Sequence, residues 1–527
     1  MKESTISRNN INNKILQQVN PFQHDPNNLA KIYSRPRSPF SLVLGVCFIL
    51  ALLLSACGPT PEELAAFQTV TAMAAFTPTP LPSPTPAGIT PDQDLTAIIA
   101  SAADGDAITL GPGVFTLPQG LNISKNLMLI GAGSDKTTIT TNIPYQDVTT
   151  MLMYSGTSTL TIKGIKIEYA GSDPAAVLFM QSGNLWLEDC TLTGATLSSS
   201  GKQIGAISMA NDATAVIRNS HIAGSLNRLD PENPQKIPGG IFLAGTNKLN
   251  IEDSNITDSY LGIYAYGQAQ VTITNSQMNN VYSALTLLET ATATISASTF
   301  SNCTGSCIVT LDDSQATISD NTFTDSPDGL AIQITENSNV QMSNNRLSNV
   351  KSAIIFMDNA SGEAADNTIE NFTNIGIVVQ NASAPMLSNN TFNLGADNFG
   401  EAIGVSYQDS ASGEARGNQF SNLYLGISVA DDAAPLLDSN TIEFCDSGIS
   451  YSGNAAGTAN LNIIQNGTTG ILIEAPASPA ITNNTIQAFF SAVYTEPEDW
   501  VEKLNVSGNN LTDGPPEILI VTVTPMP

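Results

Sequence analysis

The sequence predicts an all-β fold, a parallel β-solenoid, from three observations. An apolar residue recurs at one phase of a repeat whose steps are mostly 22 to 25 residues. A second, mainly apolar column precedes it by five residues, and the alternation of period two around that column indicates strands rather than helices. Asparagine stands two residues before the first column in nine consecutive repeats. Because one such repeat cannot bury an apolar face alone, successive coils must stack on one another.

The first column closes each coil, and it predicts about 14 to 15 coils. The closing residues are Ile167, Leu192, Ile222, Ile256, Met278, Phe300, Phe323, Leu347, Ile369, Phe392, Phe420, Ile442, Ile464, Ile486 and Leu511. The nine asparagines predict a ladder, because an amide can bond the same residue one coil above and below and tolerates left-handed turns. These asparagines are Asn321, Asn345, Asn367, Asn390, Asn418, Asn440, Asn462, Asn484 and Asn509.

A third inward column is predicted seven residues after most closing positions, usually behind a small residue that permits a tight turn. Its members are Ile263, Leu285, Cys307, Leu330, Ile354, Ile427, Ile449, Ile471 and Val493. A leucine-rich repeat has a similar period, but its signature is missing, and a β-propeller would need blades of about 40 residues.

The start of the repeat region predicts a short amphipathic helix over residues 94–103 (DLTAIIASAA) that caps the open end of the solenoid. After it, GDAITLGPGVFTL and ISKNLMLIGAGSDKTTI resemble the opening of bacterial right-handed parallel β-helix proteins of the pectin-lyase superfamily. The resemblance covers residues 92 to about 512 and implies a right-handed coil. It specifies fold far more than activity, because that superfamily includes lyases, hydrolases, epimerases and adhesins.

The N-terminus predicts an export signal over residues 1–56, with a long polar leader and an apolar run too short to span a bilayer comfortably. The run ends in Leu-Ser-Ala-Cys, which resembles the lipobox of bacterial lipoproteins, and this resemblance implies cleavage before Cys57 and lipidation of its thiol. The alternative is an uncleaved signal anchor. Residues 57–91 then form a Pro/Thr-rich tether, 92–512 the β-helix domain, and 513–527 a Pro-containing tail.

A net charge of −28 limits the partners of this chain. Such a surface repels phosphate backbones and anionic lipid headgroups, so we expect no nucleic-acid partner. A polyuronate ligand would need local basic groups or bridging Ca²⁺. We expect membrane contact only through the lipid anchor, an extracytoplasmic location and a monomeric state.

One outward column carries alternating charges on consecutive coils, Lys163, Glu188, Arg218 and Glu252. As a saccharide cleft, this region would use Arg218 or His221 as proton acceptor and Glu188 and Glu252 as carboxylates. Long insertions follow on the same coils and could cover such a cleft. The alternative is a structural salt ladder, since opposite charges at cross-strand spacing stabilise neighbouring coils. The residues assigned to binding are Trp186, as a stacking platform, with Asp189, Arg228 and Asp253.

Other candidate sites are weaker. Acidic turns at Asp312-Asp313, Asp409 and Asp431-Asp432 could bind Ca²⁺, although solvated turns also explain them, and we expect no required cofactor and no dedicated metal site. Tyr260, Tyr282 and Tyr424 share one phase and could stack on sugars or pack in ordinary turns. Cys190, Cys303, Cys307 and Cys445 match neither a zinc site nor a disulfide framework. Cys303 and Cys307 could pair locally, but buried free thiols are favoured.

Three functions follow from these features. The first is a membrane-anchored, non-catalytic module that binds glycan or cell-envelope polymer. The second is a polysaccharide lyase, hydrolase or epimerase that uses the charged column. The third is a structural or accessory protein of the envelope. The repeats from Phe323 onward are regular and nearly featureless, so any chemistry is expected between Ile167 and Ile256.

Overall fold

The computed structural model describes residues 88–145, 149–196, 205–224, 239–395 and 401–514. Within these ranges the chain forms a right-handed parallel β-helix of about 16 turns, which confirms the predicted fold class. The solenoid is slightly longer than the closing residues indicate, because its first coils precede Ile167. The predicted signal peptide, Cys57, most of the tether, Arg228 and the tail from residue 515 lie outside the described residues. No helix in the described ranges is long and apolar enough to cross a membrane.

Three parallel strand positions recur in each coil. The first forms a separate sheet, called the first sheet, with 17 strands in the described residues. They are Ala107–Thr109, Met128–Ile130, Thr159–Lys163, Asn184–Glu188, Thr214–Arg218, Lys248–Glu252, Gln270–Thr274, Thr292–Ser296, Gln315–Ser319, Asn339–Ser343, Ser361–Ala365, Met386–Ser388, Glu414–Arg416, Leu436–Asp438, Thr458–Asn460, Ala480–Thr482 and Asn505–Ser507.

The second and third positions, called the second and third ladders, merge into one continuous sheet. Strands in the second ladder are Gly113–Thr116, Thr137–Thr141, Lys166–Tyr169, Thr191–Thr193, His221–Ala223, Thr299–Cys303, Thr322–Thr324, Arg346–Ser348, Thr368–Glu370, Thr391–Asn393, Gln419–Ser421, Thr441–Glu443 and Asn510–Asp513. Strands in the third ladder are Leu121–Ile123, Thr150–Tyr154, Ala176–Met180, Gly205–Met209, Gly239–Gly245, Ser306–Thr310, Ser326–Ile334, Val350–Phe356, Ile375–Val379, Ile403–Tyr407, Leu425–Val429 and Ser447–Tyr451. Four long strands belong to both ladders, namely Asn255–Gly267, Gln277–Leu287, Ile463–Glu474 and Thr485–Glu496.

The ends of the solenoid carry the two helices of the described chain. Helix Leu95–Ser101 begins at Asp94, whose carboxylate accepts a hydrogen bond from the N–H of Ala97 at 3.1 Å. Leu95 and Ile99 are buried against the first coils, so the predicted cap is confirmed. Near the other end, the 3₁₀ helix Glu498–Lys503 packs against the last long strand.

The core is a stack of equivalent side chains in register. Closing residues pair directly along the second ladder, and the Phe300–Phe323 and Phe392–Phe420 rings stack at 4.8 Å and 4.6 Å. The third inward column differs from prediction at two coils. Ile308, not Cys307, aligns with Leu285, and Ile332, not Leu330, follows it. These two coils contain extra residues, and the strand pairing is irregular after Ser326. The inward residue therefore comes later in each coil than the fixed offset of seven predicts.

The asparagine ladder is present as predicted at the corner between the first sheet and the second ladder. Asn418, for example, is fully buried, and its Nδ2 donates to Leu387 O at 2.9 Å and to Asn440 Oδ1 at 3.0 Å. In the preceding coils serine takes the same role, as in the bond from Ser254 N to Ser276 Oγ at 3.1 Å. The ladder therefore has a serine half and an asparagine half, joined where Ser298 N donates to Asn321 Oδ1 at 2.9 Å.

A column of small residues lines the corner between the second and third ladders. A Cβ added to Gly404 would lie 2.5 Å from Gly426 O and 2.5 Å from the Phe420 ring. Gly426 and Gly448 are confined in the same way by the next coil. These glycines are needed for close approach between coils rather than for a left-handed backbone.

The cysteines differ from the favoured expectation. Cys303 and Cys307 form a disulfide across a Cα–Cα distance of 5.4 Å, where free thiols were favoured. The two lie across the corner between the second and third ladders, so chain geometry rather than spacing brings them together. Cys190 and Cys445 are buried free thiols, and burial raises the pKa of each to about 12.

Candidate functional site

The predicted charged column lies on the outer face of the first sheet. Glu188 is in direct register with Lys163 on one side and Arg218 on the other, and Arg218 pairs with Glu252. Lys163 Nζ lies 3.0 Å from Glu188 Oε1, and Arg218 Nε lies 2.7 Å from Glu252 Oε2. The structure therefore brings these four residues together as two ion pairs on adjacent coils, called the charge ladder below.

Glu188 is the most strongly held carboxylate of the charge ladder. It accepts hydrogen bonds from Lys163 Nζ and, at 3.2 Å, from Trp186 Nε1. Partial burial alone would raise the pKa of Glu188, but these hydrogen bonds and the charges of Lys163 and Arg218 outweigh burial and lower it. A carboxylate held ionised in this way is poorly suited to act as a general acid.

Trp186 is covered rather than presented to solvent. Its side chain is 8% exposed, and the Arg218 guanidinium carbon lies 5.1 Å from the ring centroid, in a cation–π arrangement. The ring face that would receive a sugar is thus occupied by Arg218. Its assigned role as a stacking platform remains a prediction, and this placement favours the structural alternative.

His221 lies apart from the charge ladder, on the second ladder beyond the Asn219-Ser220 turn. Its Nε2 is 2.9 Å from Thr257 Oγ1, which itself donates to Asp258 Oδ2 at 3.0 Å. In the ladder His221 pairs with Thr191 and Asn255. The partners that the structure gives this ring are therefore a hydroxyl and neutral neighbours, not Arg218 or Glu188.

Asp189 and Asp253 occupy left-handed turn positions, with φ of 56° and 51°. Asp189 Oδ1 accepts from Asn219 Nδ2 at 2.5 Å, and Asp253 accepts from Asn275 in the same manner. Short polar side chains are favoured at such turns because they tolerate this backbone conformation. Arg228, the remaining binding candidate, lies outside the described residues.

A shallow open hollow of about 570 Å³ adjoins the charge ladder. It lies between the turn that follows strand Met128–Ile130 and the turns that follow the next three strands of the first sheet. This surface was not predicted from the sequence. Its polar lining residues are Ser134, Asp135, Lys163, Asp189 and Asn219. Gly131, Ala132 and Gly133 also line it, and this run of small residues is the signal that could have revealed it.

Aromatic side chains gather on the outer surface of the two long strands near the middle of the chain. Tyr260 and Tyr282 stack face to face with centroids 4.4 Å apart, so two of the three predicted tyrosines are neighbours. Tyr266 is 39% exposed and packs at 5.9 Å from Tyr264, which contacts Phe242 at 5.7 Å. These five aromatic residues are called the aromatic cluster, and Phe242, Tyr264 and Tyr266 were not predicted. Tyr424 lies several coils away.

A second group of charges lies on the same outer face in the later repeats, which were predicted to be nearly featureless. Arg416 Nε is 2.5 Å from Glu414 Oε1, and its NH2 group is 3.6 Å from Asp438 Oδ2. The hydrogen bond to Glu414, together with the charges of Glu414 and Asp438, raises the pKa of Arg416. Arg416 and Asp438 are cross-strand partners, so opposite charges also pair between coils in the regular half, which favours the structural reading of the charge ladder.

The acidic turns form a continuous row between the third ladder and the first sheet, called the acidic corner. Asp312 N donates to Glu336 Oε2 at 2.7 Å, and Glu336 N donates to Asp358 Oδ2 at 3.2 Å, so each carboxylate bonds the preceding coil. Asp409 N donates to Asp431 Oδ2 in the same way. No group of three or more His, Cys, Asp or Glu side chains in the described part of the chain is arranged to hold a metal ion.

We expect Arg218→Met to lower the free energy of unfolding only slightly and to leave glycan binding unchanged. Arg218 is 44% exposed, and exposed pairs of this kind contribute about 1 kcal/mol or less to the free energy of unfolding. Arg346→Met, which removes an exposed pair with Glu370 on the second ladder, is the matched control. Chemical denaturation measures the free energy of unfolding of both variants. A loss of function confined to the Arg218 variant would instead support the saccharide cleft.

Because the pKa of Glu336 is raised, we expect that lowering the pH from neutral increases the free energy of unfolding. Burial, a side-chain hydrogen bond with Asp312 and the charges of Asp312 and Asp358 raise the pKa of Glu336 above its ordinary value of 4.5, and they outweigh the bond from the Asp312 N–H, which lowers it. Its folded pKa exceeds its unfolded pKa, so its stabilising contribution is full below 4.5 and is lost as pH rises through the folded pKa. Glu336→Gln should therefore raise the melting temperature at pH 7 by about 1 °C and leave it unchanged at pH 4. Equal shifts at both pH values would contradict this.

The later coils of the solenoid match a known sequence family. The sequence model described as "Right handed beta helix region" matches residues 239–392, 283–423 and 375–522, which together span more than half of the chain. No curated protein matches the chain significantly.

Similar solved structures include enzymes and a phage protein. The catalytic unit of an α-1,3-glucanase from Streptomyces thermodiastaticus is 12% identical, with 64% of this chain and 70% of that chain covered and a TM-score of 0.45. A pectate lyase is 12% identical, with 63% and 78% covered and a TM-score of 0.37. Tailspike protein 3 of bacteriophage CBA120 is 10% identical, with 73% and 68% covered and a TM-score of 0.44. Such distant likenesses bear on neither activity nor ligand. The sequence match over the stacked repeats places this chain in the right-handed β-helix family.

Proposed function

We propose that this chain is an extracytoplasmic β-helix, lipid-anchored at Cys57, that binds polysaccharide without catalysing its cleavage. The paired state of the predicted catalytic side chains carries this proposal. Glu188 is held by Lys163, Glu252 by Arg218, and the His221 ring by a threonine hydroxyl. A general acid or base has to exchange its proton with a substrate, whereas these side chains are engaged with one another between coils.

The elongated outer surface supports polymer binding. Sixteen stacked coils at about 4.8 Å per coil give a rigid face of roughly 75 Å, which suits an extended chain. The stacked Tyr260–Tyr282 pair and the exposed edge of Tyr266 add apolar surface of the kind that packs on sugar rings. These features support a glycan ligand and leave its identity to experiment.

The proposed location has two supports. The Leu-Ser-Ala-Cys motif before residue 58 resembles a lipobox, and the Cys303–Cys307 disulfide is of the kind that persists in oxidising compartments. Cys57→Ser tests the anchor. We expect the wild-type chain to incorporate radiolabelled palmitate and to fractionate with membranes, and the variant to do neither. A variant that stays labelled would assign the lipid to another residue.

A polysaccharide screen tests the binding function. The full mature chain, purified in detergent, would be mixed with neutral and anionic polysaccharides, with retention and release of reducing or unsaturated ends measured in parallel. We expect retention without product release. Product release from any polymer would overturn the non-catalytic proposal.

The second candidate function is a polysaccharide lyase, hydrolase or epimerase, and the hollow beside the charge ladder is the observation that favours it. Its wall combines one cation, Lys163, with two carboxylates, Asp135 and Asp189. If the screen detects turnover, Asp135→Asn should reduce it, because Asp135 contributes to the wall without belonging to the charge ladder. Unchanged turnover in that variant would exclude the hollow.

A further inference from the structure

Four consecutive strands of the first sheet present only uncharged polar side chains to solvent. They are Gln270–Thr274, Thr292–Ser296, Gln315–Ser319 and Asn339–Ser343, and they pair in direct register. In each strand the first, third and fifth residues face outward and are Thr, Ser, Gln or Asn, whereas the second and fourth are buried. These twelve outward side chains are called the neutral strip.

Charged residues bound the neutral strip. Lys248 and Glu252 occupy the outward positions of the coil before it, and Glu363 the central outward position of the coil after it. Along one side runs the acidic corner, with Asp312 and Glu336 on coils of the strip itself. In a chain of net charge −28, this placement leaves one uncharged surface that carboxylates flank. Anionic polymers are therefore repelled along the acidic corner and at the border that Glu363 forms.

The neutral strip keeps its hydrogen-bonding groups free. Ten of its twelve side chains make no hydrogen bond or ion pair with the described part of the chain. The other two are Asn339 and Gln341, joined at 3.1 Å, with Asn339 also donating to Ser361 Oγ at 2.9 Å. Later on the same face, outward side chains bond between coils, as Asn460 does to Asp438 at 2.7 Å. The strip thus offers donors and acceptors that the fold does not use.

The backing of the strip is rigid and regular. Ile273, Ile295 and Ile318 lie directly behind it and are fully buried in the core. The parallel strands space equivalent outward groups about 4.8 Å apart along the solenoid axis and about 7 Å apart along each strand. The strip therefore measures roughly 14 by 13 Å at its outward Cα positions. A surface that is ordered before binding loses little entropy when a ligand settles on it.

We propose that the neutral strip is the docking surface for an uncharged polysaccharide that lies along the solenoid axis. The proposal rests on the glycan-binding function above and specifies its surface and ligand class. Sugar hydroxyls would exchange hydrogen bonds with the central row, Thr272, Thr294, Thr317 and Gln341, and the threonine methyl groups would contact the C–H faces of the rings. Polyuronates are excluded, because they would bring carboxylates beside the acidic corner.

Two pairs of substitutions test the strip in the full mature chain. Thr294→Val/Thr317→Val removes two hydroxyls while keeping shape and strand propensity, and Thr294→Glu/Thr317→Glu adds charge. The control is Thr458→Glu, at the central outward position of a distant strand of the same sheet. Binding would be measured by pull-down on cellulose and chitin and by affinity electrophoresis in soluble β-glucan, with alginate and polygalacturonate as anionic probes. Thermal unfolding shows which variants are folded.

We expect the wild-type chain and the control to bind a neutral polymer and no anionic one. The valine pair should weaken binding about tenfold, and the glutamate pair more, since each lost hydrogen bond shifts affinity several-fold. Wild-type-like binding by the valine pair and the glutamate pair would exclude the strip as the site while leaving the glycan-binding function intact. A preference for anionic polymers would also exclude it. Absence of wild-type binding to every probe would overturn both proposals.

Discussion

Asn418→Ala is expected to lower the free energy of unfolding by about 4 kcal/mol, because the change leaves several buried groups without partners. Asn418 Oδ1 accepts from the N–H and the Nδ2 of Asn390 at 2.9 Å and 3.0 Å. Its own Nδ2 bonds Leu387 O and Asn440 Oδ1. Alanine supplies neither donor nor acceptor, and water cannot enter a site that is fully buried without opening the coil.

The matched control for the ladder is Asn359→Ala. Asn359 is exposed, and its side chain donates a single hydrogen bond within the described residues, to Asn337 Oδ1 at 3.3 Å, so loss of this side chain should change stability by less than about 0.5 kcal/mol. Guanidinium denaturation of the two variants, with hydrogen exchange at Asn390 N–H, measures the contrast. Similar stability losses in the two variants would mean that burial of the ladder contributes little.

Gly404→Val is expected to destabilise the chain by about 3 kcal/mol or more, since overpacking at this corner cannot relax. The added Cβ would lie 2.5 Å from Gly426 O, a backbone atom held by the coil pairing, and equally close to the Phe420 ring. Moving the backbone would break hydrogen bonds on both neighbouring coils. The expected result is a large fall in soluble yield and in melting temperature.

Gly395→Ala separates steric crowding from backbone strain. Gly395 has a φ of 76° but open space around its added Cβ, so it should cost about 1 kcal/mol through the left-handed backbone alone. Folded Gly404→Val with a stability close to that of Gly395→Ala would show that the coils can move apart at this corner.

The fold could be predicted because its strongest signals are local and repeat in every coil. The closing residues and the buried asparagines recur at nearly constant spacing, so stacking follows from the sequence alone. The register at Cys307 and Leu330 was missed because two coils contain extra residues, which a fixed offset cannot follow. The serine half of the ladder was missed because serine is also common on solvated turns.

The sequence predicted which residues of the candidate site lie side by side on neighbouring coils, but not which side-chain contacts they make. A shared phase placed Lys163, Glu188, Arg218 and Glu252 together, and the structure confirms that adjacency. Whether Arg218 covers Trp186 depends on two side-chain rotamers, which sequence periodicity does not contain. The hollow was not visible either, because residues from four different coils form its wall.

The change from serine to asparagine in the buried ladder has a consequence for how this molecule can change in length. From Asn418 to Asn484 each rung is 22 residues from the next, and each makes the same bonds to its neighbours. A duplicated 22-residue unit would therefore meet a compatible rung on both sides. In the serine half Ser220 and Ser254 are separated by 34 residues, whereas Ser254, Ser276 and Ser298 are again 22 residues apart. Duplication or loss of whole 22-residue units can thus change the length of the solenoid in the later coils, whereas the coils around Ser220 lack this uniform unit.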